Sequence, residues 1–242
     1  MQTSGLSGYG CKMNAHVCGT LLFGFVVVAA APASAAADQG DCRNGGFSSE
    51  NTAFGLATVK GEGRVYLLYD TEGCPSALLQ CKNRGYVLPG DRLVTGRTIG
   101  DYVCAYFPNR GGGSAGWVDQ SRLHPLDVNR RPPPSSWLGR WSDEGNPSLR
   151  VTDRGGILRI TGQAFWPGPD RERDWPSGWP HDGEIRGQLT LNANRAHYDD
   201  GDGQYGCKIE FTLIGDTLIA SDNGWCGGAN VRFDGVYSRM TR

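Results

Sequence analysis

Cys226 stands in "SDNGWCGGANVRFDGVYSRM", beside a Trp, an Asp-Asn pair and two glycines. A cysteine so placed can serve as a thiol nucleophile, provided that a His lies within reach and the thiol stays reduced. It can equally be half of a disulfide. "HDGE", with His181 and Glu184, is the best acid-base candidate, because His titrates in the right range and a carboxylate can orient it. The spacing of three suits a helix. Here, however, the pair lies among Pro and Gly ahead of a strand, where such side chains point to opposite sides. The stretch reads as a loop-to-strand corner whose His caps or pairs locally. "DDGDGQYG" at 199–206 gathers the oxygens a hard cation wants, but Tyr205 stands where a calcium loop needs Gly, and no Glu closes the loop. A turn rich in Asp and Gly explains it. His124, His181 and His197 are scattered, with neither a nucleophile-elbow motif nor a phosphate or dinucleotide loop. The expectation is therefore no catalytic residue, no metal and no cofactor.

The most unusual stretch is "QAFWPGPDRERDWPSGWPHDGE", where Trp166, Trp175 and Trp179 alternate with prolines around a charged "DRERD". A long interruption between strands is more often functional than a tight turn is. Stiff exposed indoles stack on sugar rings or anchor a protein partner, or they fold back as a lid over a barrel mouth. These three Trp residues are the expected contacts of the C-terminal half. Trp117 is expected as a core or groove residue of the N-terminal half.

The first 37 residues carry Lys12 as their one strong charge, then His16 and "VCGTLLFGFVVVAAAPASAAA". A short positive region, an apolar run and small-residue sites at Ala33-Ser34-Ala35 or Ala35-Ala36-Ala37 read as a secretory signal peptide. Its apolar part is short for a membrane span. The expected location is periplasmic or secreted, with no membrane span after cleavage. Losing Lys12 leaves 23 basic against 25 acidic residues, a formal charge of −2. That balance gives no footprint for nucleic acid and no polybasic membrane patch. Cys11 and Cys18 leave with the signal, and Cys42, Cys74, Cys81, Cys104, Cys207 and Cys226 remain. An even count in an oxidising compartment points to disulfides.

"DVNRRPPPSSW" at 127–137 divides the remainder, because consecutive prolines cannot join a sheet ladder and form a stiff spacer. The expected domains are 42–127 and 137–242, joined by a linker at 128–136. Four cysteines fall before the spacer and two after it. Short β-branched and aromatic runs bounded by Gly, Pro, Asn or Asp fill both parts, so the fold class is all-β. In the second part Gly215-Asp216 suits a two-residue hairpin turn. That turn sets Ile214 against Thr217, Leu213 against Leu218, Phe211 against Ala220 and Cys207 against position 224. Cys226 then projects on the same face, diagonal to Cys207. A flare at Gly227-Gly228 brings the sulfurs together. Such a bond closes a loop of about twenty residues, worth roughly 3 kcal/mol in the chain-entropy model. Cys226 is expected to be a staple. In the last strand Val231, Phe233, Gly235 and Tyr237 share a core face, while Arg232, Asp234 and Ser238 face mostly water, with Val236 among them.

"VLPGDRLVTGRTIGDYVCAYFPNRGGGSAGWVDQSRL" resembles a bacterial SH3 domain over about 60–123, through the turn Pro89-Gly90-Asp91, the closing Gly116-Trp117-Val118 and Leu123. The resemblance implies a small, non-catalytic barrel that binds cell-wall peptide or a protein. The cysteines depart from that pattern. "CPSALLQC" reads as a local staple of Cys74 and Cys81, leaving Cys42 to reach Cys104, though four cysteines permit three pairings. In the second part, "H-x-G-E", "C-x-I-x-F" and "DN-x-x-CGG-x-NV-x-F-x-G-V-Y-x-R" resemble the C-terminal half of uncharacterised exported SH3-domain proteins of proteobacteria. The early Gly139-Arg140-Trp141 and the antiparallel meander resemble lipocalin-like barrels in architecture. These readings together imply a non-enzymatic binding protein of the bacterial envelope, with peptidoglycan or an envelope protein as partner. Two rivals are an exported inhibitor or immunity-type protein, and an envelope hydrolase in which His181 and Glu184 would have to converge in one cleft.

Overall fold

Alternating side-chain patterns in short runs need partners across a ladder, and the protein supplies them in two antiparallel sheets. The computed structural model describes residues 42–76, 79–109, 112–143, 146–168, 180–201 and 203–240. The expected signal segment, Trp175, Trp179 and Asp202 lie outside them. The first sheet contains β1 (Gly55–Val59), β2 (Val65–Leu68), β3 (Lys82–Val87), β4 (Arg92–Ile99), β5 (Tyr102–Phe107), β6 (Ser114–Asp119) and β7 (Leu123–Leu126), in the order β3-β2-β6-β5-β4-β1-β7.

The second sheet contains β8 (Gly139–Asp143), β9 (Asn146–Arg154), β10 (Ile157–Trp166), β11 (His181–Gln188), β12 (Thr190–Asn192), β13 (Arg195–Asp199), β14 (Lys208–Ile214), β15 (Thr217–Asp222) and β16 (Gly235–Arg239). Its order is β11-β10-β9-β8-β16-β15-β14-β13-β12, a meander in which β16 closes back onto β8. The sheet curls until its two edges meet. Arg186 N donates to the Tyr198 hydroxyl at 3.4 Å, and a Cβ on Gly187 would stand 2.6 Å from the Tyr198 ring. The fold class is all-β, with this second sheet forming a nearly closed barrel.

Period-two burial explains the strands. In β10 Leu158, Ile160 and Ala164 are buried while Arg159, Gln163 and Phe165 are exposed. Gly162 also faces inward, where a Cβ would lie 2.5 Å from Leu149 Cδ2. Trp137, Trp141, Phe211, Phe233 and Tyr237 fill the barrel, each almost wholly buried. Polar atoms follow them in: Tyr237 OH donates to Phe233 O at 2.8 Å and Trp141 Nε1 to Trp137 O at 3.1 Å.

The described residues, from Cys42 onward, fall in one compact unit. Ile214, Ile219 and Val236, on the outward face of β14–β16, join a core cluster with Phe47, Phe54 and Leu56 of the N-terminal part. Arg195 Nη2 adds a hydrogen bond to Thr52 O at 2.6 Å. This contact accounts for Val236, the one apolar residue on the face expected to meet water. Pro134 opens a short 3₁₀ turn through Trp137.

The hairpin register is the one that Gly215-Asp216 dictates, with Ile214 opposite Thr217, Leu213 opposite Leu218 and Phe211 opposite Ala220. Cys207 and Cys226 are bonded, their Cα atoms 4.4 Å apart. Cys42 is bonded to Cys104 and Cys74 to Cys81. With all three pairs made, Cys226 is a staple. Three disulfides fit an oxidising compartment. Among the described residues no helix is long and apolar enough to cross a membrane.

Candidate functional site

The end of β10 brings the first candidate residue into place. Alternation turns Phe165 outward, 57% exposed, while Trp166 packs partly against the barrel core. Register sets Trp166 opposite His181, and the two rings stack with centroids 5.4 Å apart at 22°. His181 Nδ1 lies 2.7 Å from Ala229 O. A carbonyl only accepts, so Nδ1 carries the proton. His181 is the first residue of strand β11, held by a ladder of eight opposed pairs with β10, and its backbone partner lies far along the chain rather than locally. Its Gly and Arg content hides that strand from a propensity reading.

The segment from Asp222 to Asp234 packs against the same end. Gly183 and Gly227 permit the approach, since a Cβ on Gly183 would stand 2.3 Å from Cys226 O and one on Gly227 2.9 Å from Asp182 O. Asp222 organises the segment. Its side chain is wholly inaccessible and accepts from Gly224 N at 2.6 Å, from Arg232 Nη1 at 3.1 Å and from Phe233 N. Asp234 Oδ1 in turn accepts from Asp222 N at 2.6 Å. Burial, and then the charge of Asp222, push the Asp234 carboxyl up to about 6.

These groups line a cleft of about 820 Å³. One wall carries Phe165, Trp166 and Pro167, and another Asp222, Asn230, Arg232 and Asp234. Arg43, Ser49 and Glu50 of the N-terminal segment close the third side. That segment is anchored by the Cys42–Cys104 bond and by Asn44 Oδ1, which accepts from Ala115 N at 2.6 Å. The cleft thus offers the Glu50 and Asp234 carboxyls and the Arg43 and Arg232 guanidiniums as directional partners, with Asp234 raised to about 6, and the faces of Phe165 and Trp166. It can hold a polar ligand that also has apolar faces. Beyond it, Tyr205 and Trp225 form an edge-to-face pair with centroids 5.0 Å apart, 64% and 54% exposed.

The other candidates are dispersed. Trp117 is fully buried, its Nε1 donating to Asp70 Oδ1 at 2.9 Å under the Arg97 guanidinium. It is a core residue and offers no surface to a ligand. Glu184 sits on the outer barrel wall and pairs with Arg186 at 3.0 Å. It and His181 do not converge. In the Asp-Gly stretch Asp199 and Asp200 accept from the backbone N–H groups of Gly201 and Cys207, as turn residues do. Among the described residues no group of three or more His, Cys, Asp and Glu side chains is placed to hold a metal ion.

Asp222, Asp234, Arg232 and Arg43 were not singled out from sequence. The "DN" beside Cys226 was the available signal, since a buried Asp that caps a Gly-rich turn also begins such a segment. No protein-family model matches the chain, and neither a curated protein nor a solved structure is significantly similar to it.

Proposed function

We propose that this chain is an exported, non-enzymatic binding protein of the bacterial envelope, and that it takes its ligand in the cleft beside Phe165 and Trp166. The ligand class is the cell-wall glycan-peptide, which combines sugar rings with hydroxyl, amide and ionised groups. The observation that carries the reading is the pairing, in one cleft, of the exposed Phe165 ring and the half-buried Trp166 with Glu50, Arg232 and Asp234. Aromatic faces stack on the apolar faces of sugars, and fixed charged groups orient polar substituents. The likeness of 60–123 to bacterial SH3 domains, which bind cell-wall peptide or protein, points the same way. So do the three disulfides, which suit an exported chain.

A protein partner is the second reading. The exposed Tyr205–Trp225 pair favours it, because such aromatics commonly dominate protein interfaces. Co-sedimentation of the signal-free chain with purified peptidoglycan separates the two. Retention that falls at least tenfold in Phe165→Ala/Trp166→Ala supports the wall-binding reading. Absence of retention overturns it, and a protein complex lost on Trp225→Ala then takes its place.

A further inference from the structure

The outer wall of the barrel holds a second constellation, independent of the cleft. Strand register lines up Arg140 opposite Arg150, Arg150 opposite Thr161, and Thr161 opposite Arg186, one row across β8, β9, β10 and β11. Directly opposed residues stand about 5 Å apart at Cβ, so two guanidiniums confront each other on neighbouring strands. The rows on either side continue the pattern. One places Arg159 between Thr152 and Gln188; the other runs Ser142, Ser148, Gln163, Glu184. A hollow of about 430 Å³ lies over them, lined by Arg140, Arg150, Arg186, Thr161, Gln163 and Ser148 among others.

Glu184 is the carboxylate in this hollow and is engaged by Arg186 at 3.0 Å. Among the described residues the side chains of Arg140, Arg150 and Arg159 have no ion pair or hydrogen bond. Like charges set directly opposite destabilise a sheet. A chain of net charge −1 has carboxylates enough to neutralise them, yet places none opposite Arg140 or Arg150. An uncompensated cationic row, flanked by hydroxyl and amide donors, suits an oxyanion ligand. Guanidinium forks match phosphate oxygens in pairs.

We propose that this hollow is a binding site for a ligand bearing two or more phosphate groups. The row spans three strand spacings, roughly 15 Å, which one phosphate cannot bridge and a diphosphate reached by the long Arg side chains can. The phosphates come either from a soluble compound or from a lipid headgroup, and the chemistry recognised is the same. Glu184 tempers the positive field at the Arg186 end, and the anion spans the row from Arg140 and Arg150 across Thr161 to Arg186.

The test is an NMR titration of the signal-free chain with inorganic pyrophosphate at physiological salt, following the arginine Nε–H resonances. The expected result is saturable shifts at Arg140, Arg150 and Arg186, with affinity at least tenfold lower in Arg140→Gln/Arg150→Gln. That variant alters exposed side chains alone. Relief of repulsion should raise its Tm without ligand by about 1–2 °C. Pyrophosphate should raise the Tm of the wild type and leave that of the variant unchanged. Shifts spread evenly over all surface arginines, equal affinity in the variant, or no saturation would each overturn the proposal. Flotation with cardiolipin vesicles, whose headgroup bears two phosphates, against phosphatidylcholine, assigns the source. Retention by the anionic vesicles alone indicates a headgroup, and its absence alongside pyrophosphate binding indicates a soluble ligand.

Discussion

Asp234 is a carboxyl whose chemistry departs far from its ordinary behaviour. Its carboxyl is raised from 3.8 to about 6 by burial and by Asp222 beside it. A carboxyl that holds its proton more tightly when folded favours the native state below the unfolded value, and loses that contribution as pH rises from about 4 through 6. Asp234→Asn keeps an oxygen to accept from Asp222 N and removes the charge. It should therefore stabilise the protein above pH 6 by about 2 kcal/mol, with the gain fading by pH 4. Chemical denaturation of both proteins between pH 4 and 8 checks this; a difference independent of pH would contradict it. A second residue-scale expectation concerns Gly162. A Cβ there would meet Leu149, Ile185 and Phe233 at 2.5, 3.1 and 3.2 Å, so Gly162→Val should cost at least about 2 kcal/mol through overpacking. Urea denaturation reads it directly. Cys226 was legible at this scale because Gly215-Asp216 fixes the register from neighbouring residues. Asp234 was not, because the Arg43–Glu50 segment that helps line its cleft lies far away in the chain.

At the scale of elements, the Cys207–Cys226 bond ties the start of β14 to the loop that carries Asp222, Arg232 and Asp234. Cys207→Ser/Cys226→Ser should lower stability by about 3 kcal/mol. It should also raise amide hydrogen exchange across 223–234 more than in β9 or β10, because the loop loses its covalent anchor. Uniform change through the barrel would contradict that account. β10 was legible because buried and exposed positions alternate along it, and β14 because Lys208, Glu210 and Thr212 alternate with Ile209, Phe211 and Leu213 in its sequence. β11 and β13 were not. His181–Gln188 buries one large apolar side chain, Ile185, and Arg195–Asp199 relies on Ala196 and Tyr198. Their ladders come from β10 and β14, whose pairing no local propensity encodes.

At the scale of the whole molecule, the two sheets share the cluster containing Ile214, Ile219, Val236, Phe54 and Leu56. Shared burial couples their stabilities, so calorimetry of residues 38–242 should show one transition. Ile219→Ala should shift the whole of it downward, at a cost of about 2–4 kcal/mol. Two resolved transitions would contradict the coupling. The all-β class and the nearly closed second sheet follow from alternation and turn chemistry, both local. The packing of the first part onto β14–β16 rests on Ile214, Ile219 and Val236, apolar residues that alternation had placed on a solvent face.

A cell-wall ligand received in the cleft beside Phe165 and Trp166 should leave its mark on the residues that line it. An NMR titration of the signal-free chain with soluble peptidoglycan fragments tests it most directly. Binding there predicts saturable shifts confined to Phe165, the Trp166 indole, Arg43 and the 222–234 segment, and their loss in Phe165→Ala/Trp166→Ala. Saturable shifts elsewhere with the cleft silent, or no shifts at all, would contradict it.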